Sequence, residues 1–185
     1  DHRHVDGNAI ALLHAEAAKG VREAADLVEQ LLVGDGARVT GLTFPVVRHA
    51  VAQSGGNVAV GIFARADYGT ATVNNSGDIM VSVEGVNGYI GDDAYGILAS
   101  GEYAQVANSG SIEAIGYYSA TGIAARSFYG TTVTTTATSD IEAYSMLVTI
   151  GIEGRSEYGN VSVSNAGDIA VEGVLGGGVG IQAYS

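Results

Sequence analysis

GIFARADYGTATVNNSGDI (residues 61–79) returns ninety positions later as GIEGRSEYGNVSVSNAGDI (residues 151–169), with no gap between the two. Gly-Ile, Arg, Tyr-Gly, Val, Asn and Gly-Asp-Ile all keep their places. Working outward from this pair, the dipeptide Gly-Ile stands at Gly61-Ile62, Gly96-Ile97, Gly122-Ile123, Gly151-Ile152 and Gly180-Ile181, at intervals of 35, 26, 29 and 29 residues. Self-similarity at such a period is the mark of a repeat architecture in which each unit cannot bury its apolar face alone. Four units and the start of a fifth are present. The tail of each unit is Asn75 to Ile79, Asn108 to Ile112, a degenerate Ala137 to Ile141, and Asn165 to Ile169.

Within a unit, three short segments alternate with period two, which is the pattern of a strand and not of a helix. The first puts Ile62, Ala64 and Ala66 on one side and Phe63, Arg65 and Asp67 on the other, and its counterparts begin at Ile97, Ile123 and Ile152. The second points Val73, Val106, Val133 and Val163 inward. The third does so with Ile79/Val81, Ile112/Ala114, Ile141/Ala143 and Ile169/Val171. Gly and Asn fall between the segments, where the chain has to turn.

Three strands per unit with small apolar interiors describe an all-β fold, a parallel β-helix, over residues 56–185. Each strand then pairs with its counterpart about 4.8 Å away in the next coil. Equivalent residues should stack into ladders: isoleucines inside (Ile62, Ile97, Ile123, Ile152), and tyrosines after the first strand (Tyr68, Tyr103, Tyr129, Tyr158). Asparagines should stack at a corner (Asn75, Asn108, Asn165), with an interruption in the third unit, where Thr131–Thr136 precede the degenerate motif. A β-propeller is the competing fold, but it needs antiparallel hairpins whose turn signals are weak here.

Residues 1–55 lack the repeat. Leu13, Ala17, Val21, Ala24, Val28 and Leu31 keep helical spacing opposite a charged face, with Asn8 as N-cap and Gly34 as stop, so a helix is expected over about 9–32. Such a helix would cap the open first coil; a partner-binding helix and a remnant of another domain are the alternatives. The apolar runs around Pro45 suit strands leading into the first coil.

Composition narrows function. The chain of 185 residues has no Cys, which removes disulfides, zinc-thiolate sites and a Cys nucleophile. Its net charge of −12 is concentrated in residues 56–185, with thirteen acids against three bases, a surface that repels nucleic acid. No apolar run is long enough to span a membrane as a helix, and the start, Asp1-His2-Arg3-His4, is unlike a signal peptide.

Metal and catalytic signals are thin. His2 and His4 supply two ligands at most, and Asp78, Asp140 and Asp168 align without a calcium-loop motif, so no cofactor is expected and calcium is only the secondary reading. Arg65, Arg126 and Arg155 share an outward column among Asp67, Glu153 and Glu157. Carbohydrate-cleaving β-helices also use outward Arg and carboxylates, yet repetition indicates a face, whereas catalysis needs a singular constellation. Tyr117, Tyr118 and Tyr144 are candidate surface contacts, because tyrosine offers rigid apolar area with a hydroxyl.

The motif Gly-Ile-x-Ala-x-Ser-x-Tyr-Gly (residues 122–130), followed elsewhere by Val-x-Asn-x-Gly-x-Ile, resembles the repeats of autotransporter passenger domains and related β-helical surface adhesins of Gram-negative bacteria. The resemblance covers residues 56–185. It implies a right-handed β-helical stalk, exported through a C-terminal barrel in the outer membrane and displayed on the cell surface or released. Neither barrel nor signal sequence is in this chain, so a processed passenger fragment is expected. The expected role is non-catalytic, structural or adhesive, with a host or bacterial surface protein or glycan as partner and self-association in reach. A polysaccharide-acting β-helix enzyme and a self-assembling extracellular filament subunit are the alternatives.

Overall fold

The computed structural model describes residues 39–40, 47–54, 58–83 and 93–185. The helix expected over 9–32, and with it the capping role, lies outside the described residues. Twelve strands follow in chain order: β1 (Val39–Thr40), β2 (Val47–Ser54), β3 (Val58–Arg65), β4 (Thr70–Val83), β5 (Asp93–Asn108) and β6 (Ser111–Ile115). Then come β7 (Ser119–Thr135), β8 (Asp140–Ser145), β9 (Val148–Ser156), β10 (Asn160–Ser164), β11 (Asp168–Gly173) and β12 (Gly178–Tyr184). Every pairing among them is parallel. The chain is a β-solenoid of about four turns, and among the described residues no antiparallel hairpin of a propeller occurs.

The coils stack in register. Ile62, Ile97, Ile123, Ile152 and Ile181 stand level in the first segment. Ile79, Ile112, Ile141 and Ile169 do so in the third, and Val73, Val106, Val133 and Val163 in the second. Pairing reaches back before the first Gly-Ile: β1 lies beside Ala64 and Arg65, and β2 beside Asn75–Val83. The isoleucines from Ile62 to Ile152 and from Ile79 to Ile141 are buried to 2% exposure or less, each contributing about 1.5–3 kcal/mol of transfer free energy. In the last segments the inward Val161, Val163, Ile169 and Val171 are half-buried, and Val179 and Ile181 are exposed.

The Gly-Ile motif has a steric origin. Strict alternation breaks at each dipeptide, where both residues are buried. A Cβ on Gly61, Gly96, Gly122 or Gly151 would lie 2.2–2.5 Å from Cγ2 of Ile79, Ile112, Ile141 or Ile169 across the core. It would also lie 2.5–2.7 Å from the carbonyl oxygen of the next motif glycine. Glycine and the third-segment isoleucine are therefore two halves of one contact, and they recur together.

The asparagine ladder changes character in the third coil, where hydroxyls stand in place of the missing asparagine. Asn75 Nδ2 donates to Asn108 Oδ1 at 2.7 Å, and Asn108 Nδ2 donates to Ser139 Oγ at 2.7 Å. Thr135 Oγ1 then donates to Asn165 Oδ1. Thr135, not Ala137, is level with Asn108, and the third coil takes two extra residues before Ile141 regains register with Ile112. Two hydroxyls on this longer corner, Thr135 and Ser139, replace one amide. Each asparagine also closes its own turn by donating to a glycine carbonyl two residues on: Gly77 and Gly110 at 2.8 Å, Gly167 at 2.7 Å.

The tyrosines do not form a four-membered ladder. Arg65, Ser100, Arg126 and Arg155 are level, as are Thr70, Tyr103, Gly130 and Asn160. The corners between are residues 66–69, 101–102, 127–129 and 156–159, so constant spacing from isoleucine does not give constant height. Tyr103 and Tyr129 approach to 5.9 Å between ring centroids, while Tyr68 and Tyr158 are 89% and 79% exposed.

Candidate functional site

The third corner of the solenoid carries the most site-like surface. Only residues 116–118 join β6 to β7, and a Cβ on Gly116 would sit 1.8 Å from the Ser119 carbonyl oxygen, so this reversal requires glycine. The tight turn leaves Tyr117 41% exposed. Backbone hydrogen bonds carry the stack through the corner: Gly116 N to Tyr144 O (3.0 Å), Met146 N to Tyr117 O (3.0 Å) and Leu175 N to Met146 O (2.8 Å). These bonds tie the corner to the coils stacked on it.

An open groove of about 380 Å³ lies here, lined by Val83, Ile115, Tyr117, Tyr144, Met146 and Val174, with Glu172 on its rim. Of the three tyrosines singled out in the sequence, Tyr117 and Tyr144 line it, and Tyr118 does not. The Tyr118 carbonyl instead accepts from Leu147 N and Val148 N at 3.3 and 3.2 Å. Ile115, Tyr144 and Glu172 are level in three successive coils, so one outward column presents an aliphatic, an aromatic and an acidic side chain. Met146 and Val174 escaped the sequence reading because they sit in corners, where no alternation marks direction.

The outward face of the third segment is acidic. Asp140 and Asp168 are level with each other and with Ser111, and Glu113 with Glu142. Ser111 Oγ donates to Asp78 Oδ1 at 2.6 Å. Glu172 is level with Tyr144 and not with Glu113 or Glu142. Tyr144 donates its hydroxyl to Glu142 Oε2 at 3.1 Å. That hydrogen bond, with some burial and the charges of Glu142, Glu113 and Glu172, holds its pKa above the ordinary tyrosine value. Among the described residues, no group of three or more His, Asp or Glu side chains could hold a metal ion.

On the first segment, the column Arg65, Ser100, Arg126, Arg155 is not made of equivalents. Arg65 pairs with Asp67 at 2.8 Å in an exposed position. Arg126 reaches one coil up to Glu153 at 2.7 Å and lies over the Tyr95 ring, 5.6 Å from its centroid. The Glu153 side chain is only 12% exposed. Burial works against the Arg126 charge, but the hydrogen bond and charge of Glu153, joined by Tyr95, prevail and raise its pKa. This cluster satisfies itself. Its carboxylate accepts two hydrogen bonds from the same guanidinium, from Nε at 3.2 Å and Nη2 at 2.7 Å.

A second, smaller groove of about 230 Å³ runs over the asparagine corner and is lined by Asn, Ser and Thr with Ala107. No family model, no curated protein and no solved structure matches this chain. The parallel register of the strands and the sequence repeat define the fold class, a parallel β-solenoid.

Proposed function

We propose that the chain is a non-catalytic structural and adhesive segment, displayed on or released from a bacterial cell surface. In this reading it is a right-handed β-helical stalk whose N-terminal helix caps the first coil. The carrying observation is the corner that exposes a tyrosine-lined groove, while Asp140/Asp168 and Glu113/Glu142 repeat from coil to coil and Arg126 is paired with Glu153. An adhesive stalk uses a stiff frame to present such a groove and needs no activated nucleophile. Lack of cysteine is in keeping with export through a narrow pore.

The test incubates the purified chain with acidic and neutral polysaccharides and with bacterial cells, and follows bond cleavage and retention together. Retention without cleavage is expected. Release of oligosaccharides that vanishes on Glu153→Gln would overturn the reading in favour of a polysaccharide-acting enzyme.

A further inference from the structure

We propose that the groove at the third corner takes a short cationic and apolar polypeptide segment, one or two aliphatic or aromatic side chains flanked by Lys or Arg. This rests on the adhesive reading above and names its partner chemistry. The floor supplies the apolar half, since Val83 is buried while Ile115, Tyr117 and Val174 keep 38%, 41% and 64% exposure. Contiguous exposed apolar surface with a polar rim is the usual form of a docking patch. The column Ile115, Tyr144, Glu172 crosses three coils, about 10 Å, the length of roughly three extended residues. The occupant's core is correspondingly short.

Charge selects the partner's sign. Glu172 stands on the rim, Glu142 holds the Tyr144 hydroxyl, and Glu113 is level with Glu142 in the next coil. The three arginines of residues 56–185 all belong to the first segment's column and not to this corner. The hydrogen bond to Glu142 is the main cause of the raised Tyr144 pKa, with the charges of Glu142, Glu113 and Glu172 acting in the same direction. The negative field of these carboxylates repels acidic glycans and anionic proteins and speeds encounter with cations. Neutral sugars gain nothing from it.

The experiment measures fluorescence anisotropy of three labelled peptides of equal length, built from leucine and lysine, leucine and glutamate, or serine and lysine, against the whole chain. The leucine–lysine peptide should bind about tenfold or more tighter than either control, and weaken as salt is raised. Tyr117→Ser and Val174→Ser should each weaken it about fivefold or more, while Tyr158→Ser, distant from the groove, leaves it unchanged. Glu172→Gln should narrow the gap between the lysine and glutamate peptides. Unchanged circular dichroism of the variants, all at exposed positions, separates lost contact from lost fold.

Equal binding of the serine–lysine peptide would make charge alone the cause and overturn the proposal. So would equal binding of the glutamate peptide, displacement by a neutral oligosaccharide, insensitivity to Tyr117→Ser, or no binding at all. If the peptides fail while cells or glycans still retain the chain without cleavage, only the partner chemistry falls. Cleavage of a polysaccharide defeats the adhesive reading whatever the peptides do.

Discussion

Replacing Gly122 and Gly180 by alanine, one at a time, makes the same chemical change in the same dipeptide at two places in the stack. At Gly122 the new methyl would lie 2.3 Å from Ile141 Cγ2 and 2.7 Å from the Gly151 carbonyl oxygen. The isoleucine can rotate at some cost, but the carbonyl belongs to the next coil's backbone and moves only if the coils separate. Forced insertion of a methyl into a packed core costs about 1–3 kcal/mol. Against this, alanine restricts the unfolded chain and returns about 0.4–1 kcal/mol where the native backbone suits it. Neither glycine has the positive φ that would penalise alanine by itself; among the described glycines, that conformation belongs to Gly69. Gly122→Ala should therefore destabilise by about 1–2 kcal/mol net. At Gly180 nothing lies within 4 Å, so Gly180→Ala should be neutral or slightly stabilising. Urea unfolding followed by circular dichroism reads both. Equal losses at the two sites would mean that the glycine is required for backbone conformation, and the steric account of the motif would be wrong.

Other expectations follow from single contacts. Asn108→Ala removes the donor to the Gly110 carbonyl and to Ser139 Oγ, both in buried surroundings, and should cost about 1–3 kcal/mol. Asn165→Ala, at the half-buried end of the same ladder, should cost less in the same urea assay. Arg126→Ala strands the nearly buried Glu153 carboxylate and should destabilise by about 1–3 kcal/mol. Adding Glu153→Ala should recover part of that loss, whereas Arg65→Ala should stay within about 0.5 kcal/mol. Tyr144 should ionise at higher pH than free tyrosine, as read by NMR of labelled tyrosine rings, and Glu142→Gln should bring it down. Because the folded value is raised, any stability it contributes is complete below the unfolded tyrosine pKa and is lost as pH climbs through the folded one.

The repeat was legible because stacking imposes one residue type per column where the column is buried. Isoleucine and valine sit in such columns, and their spacing gave segments, direction and register. What resisted reading were the corners, whose lengths vary freely as long as the next strand regains register. Constant distance from Ile62 or Ile97 thus suggested a tyrosine ladder that unequal corners undo. The same freedom hid which residue takes the asparagine slot in the third coil, since Thr135 is level with Asn108 and that coil's asparagine corner is two residues longer. Tyr117 and Tyr144 were visible as unusual outward aromatics, yet their convergence with Met146 and Val174 needed the three-dimensional path of two corners. The inequality of Arg126 and Arg65 was equally hidden, because it depends on which carboxylate the next coil presents.

The central claim is that successive units lie in register, coil upon coil, with the motif isoleucines at the core. Selective methyl labelling of isoleucine in a deuterated chain, followed by methyl–methyl NOE spectroscopy, tests it directly. The account predicts two unbroken series, Ile62–Ile97–Ile123–Ile152 and Ile79–Ile112–Ile141–Ile169, each linking neighbours one coil apart. Absence of the Ile97–Ile123 and Ile112–Ile141 cross-peaks, or series that skip a unit or run in reverse order, would contradict it.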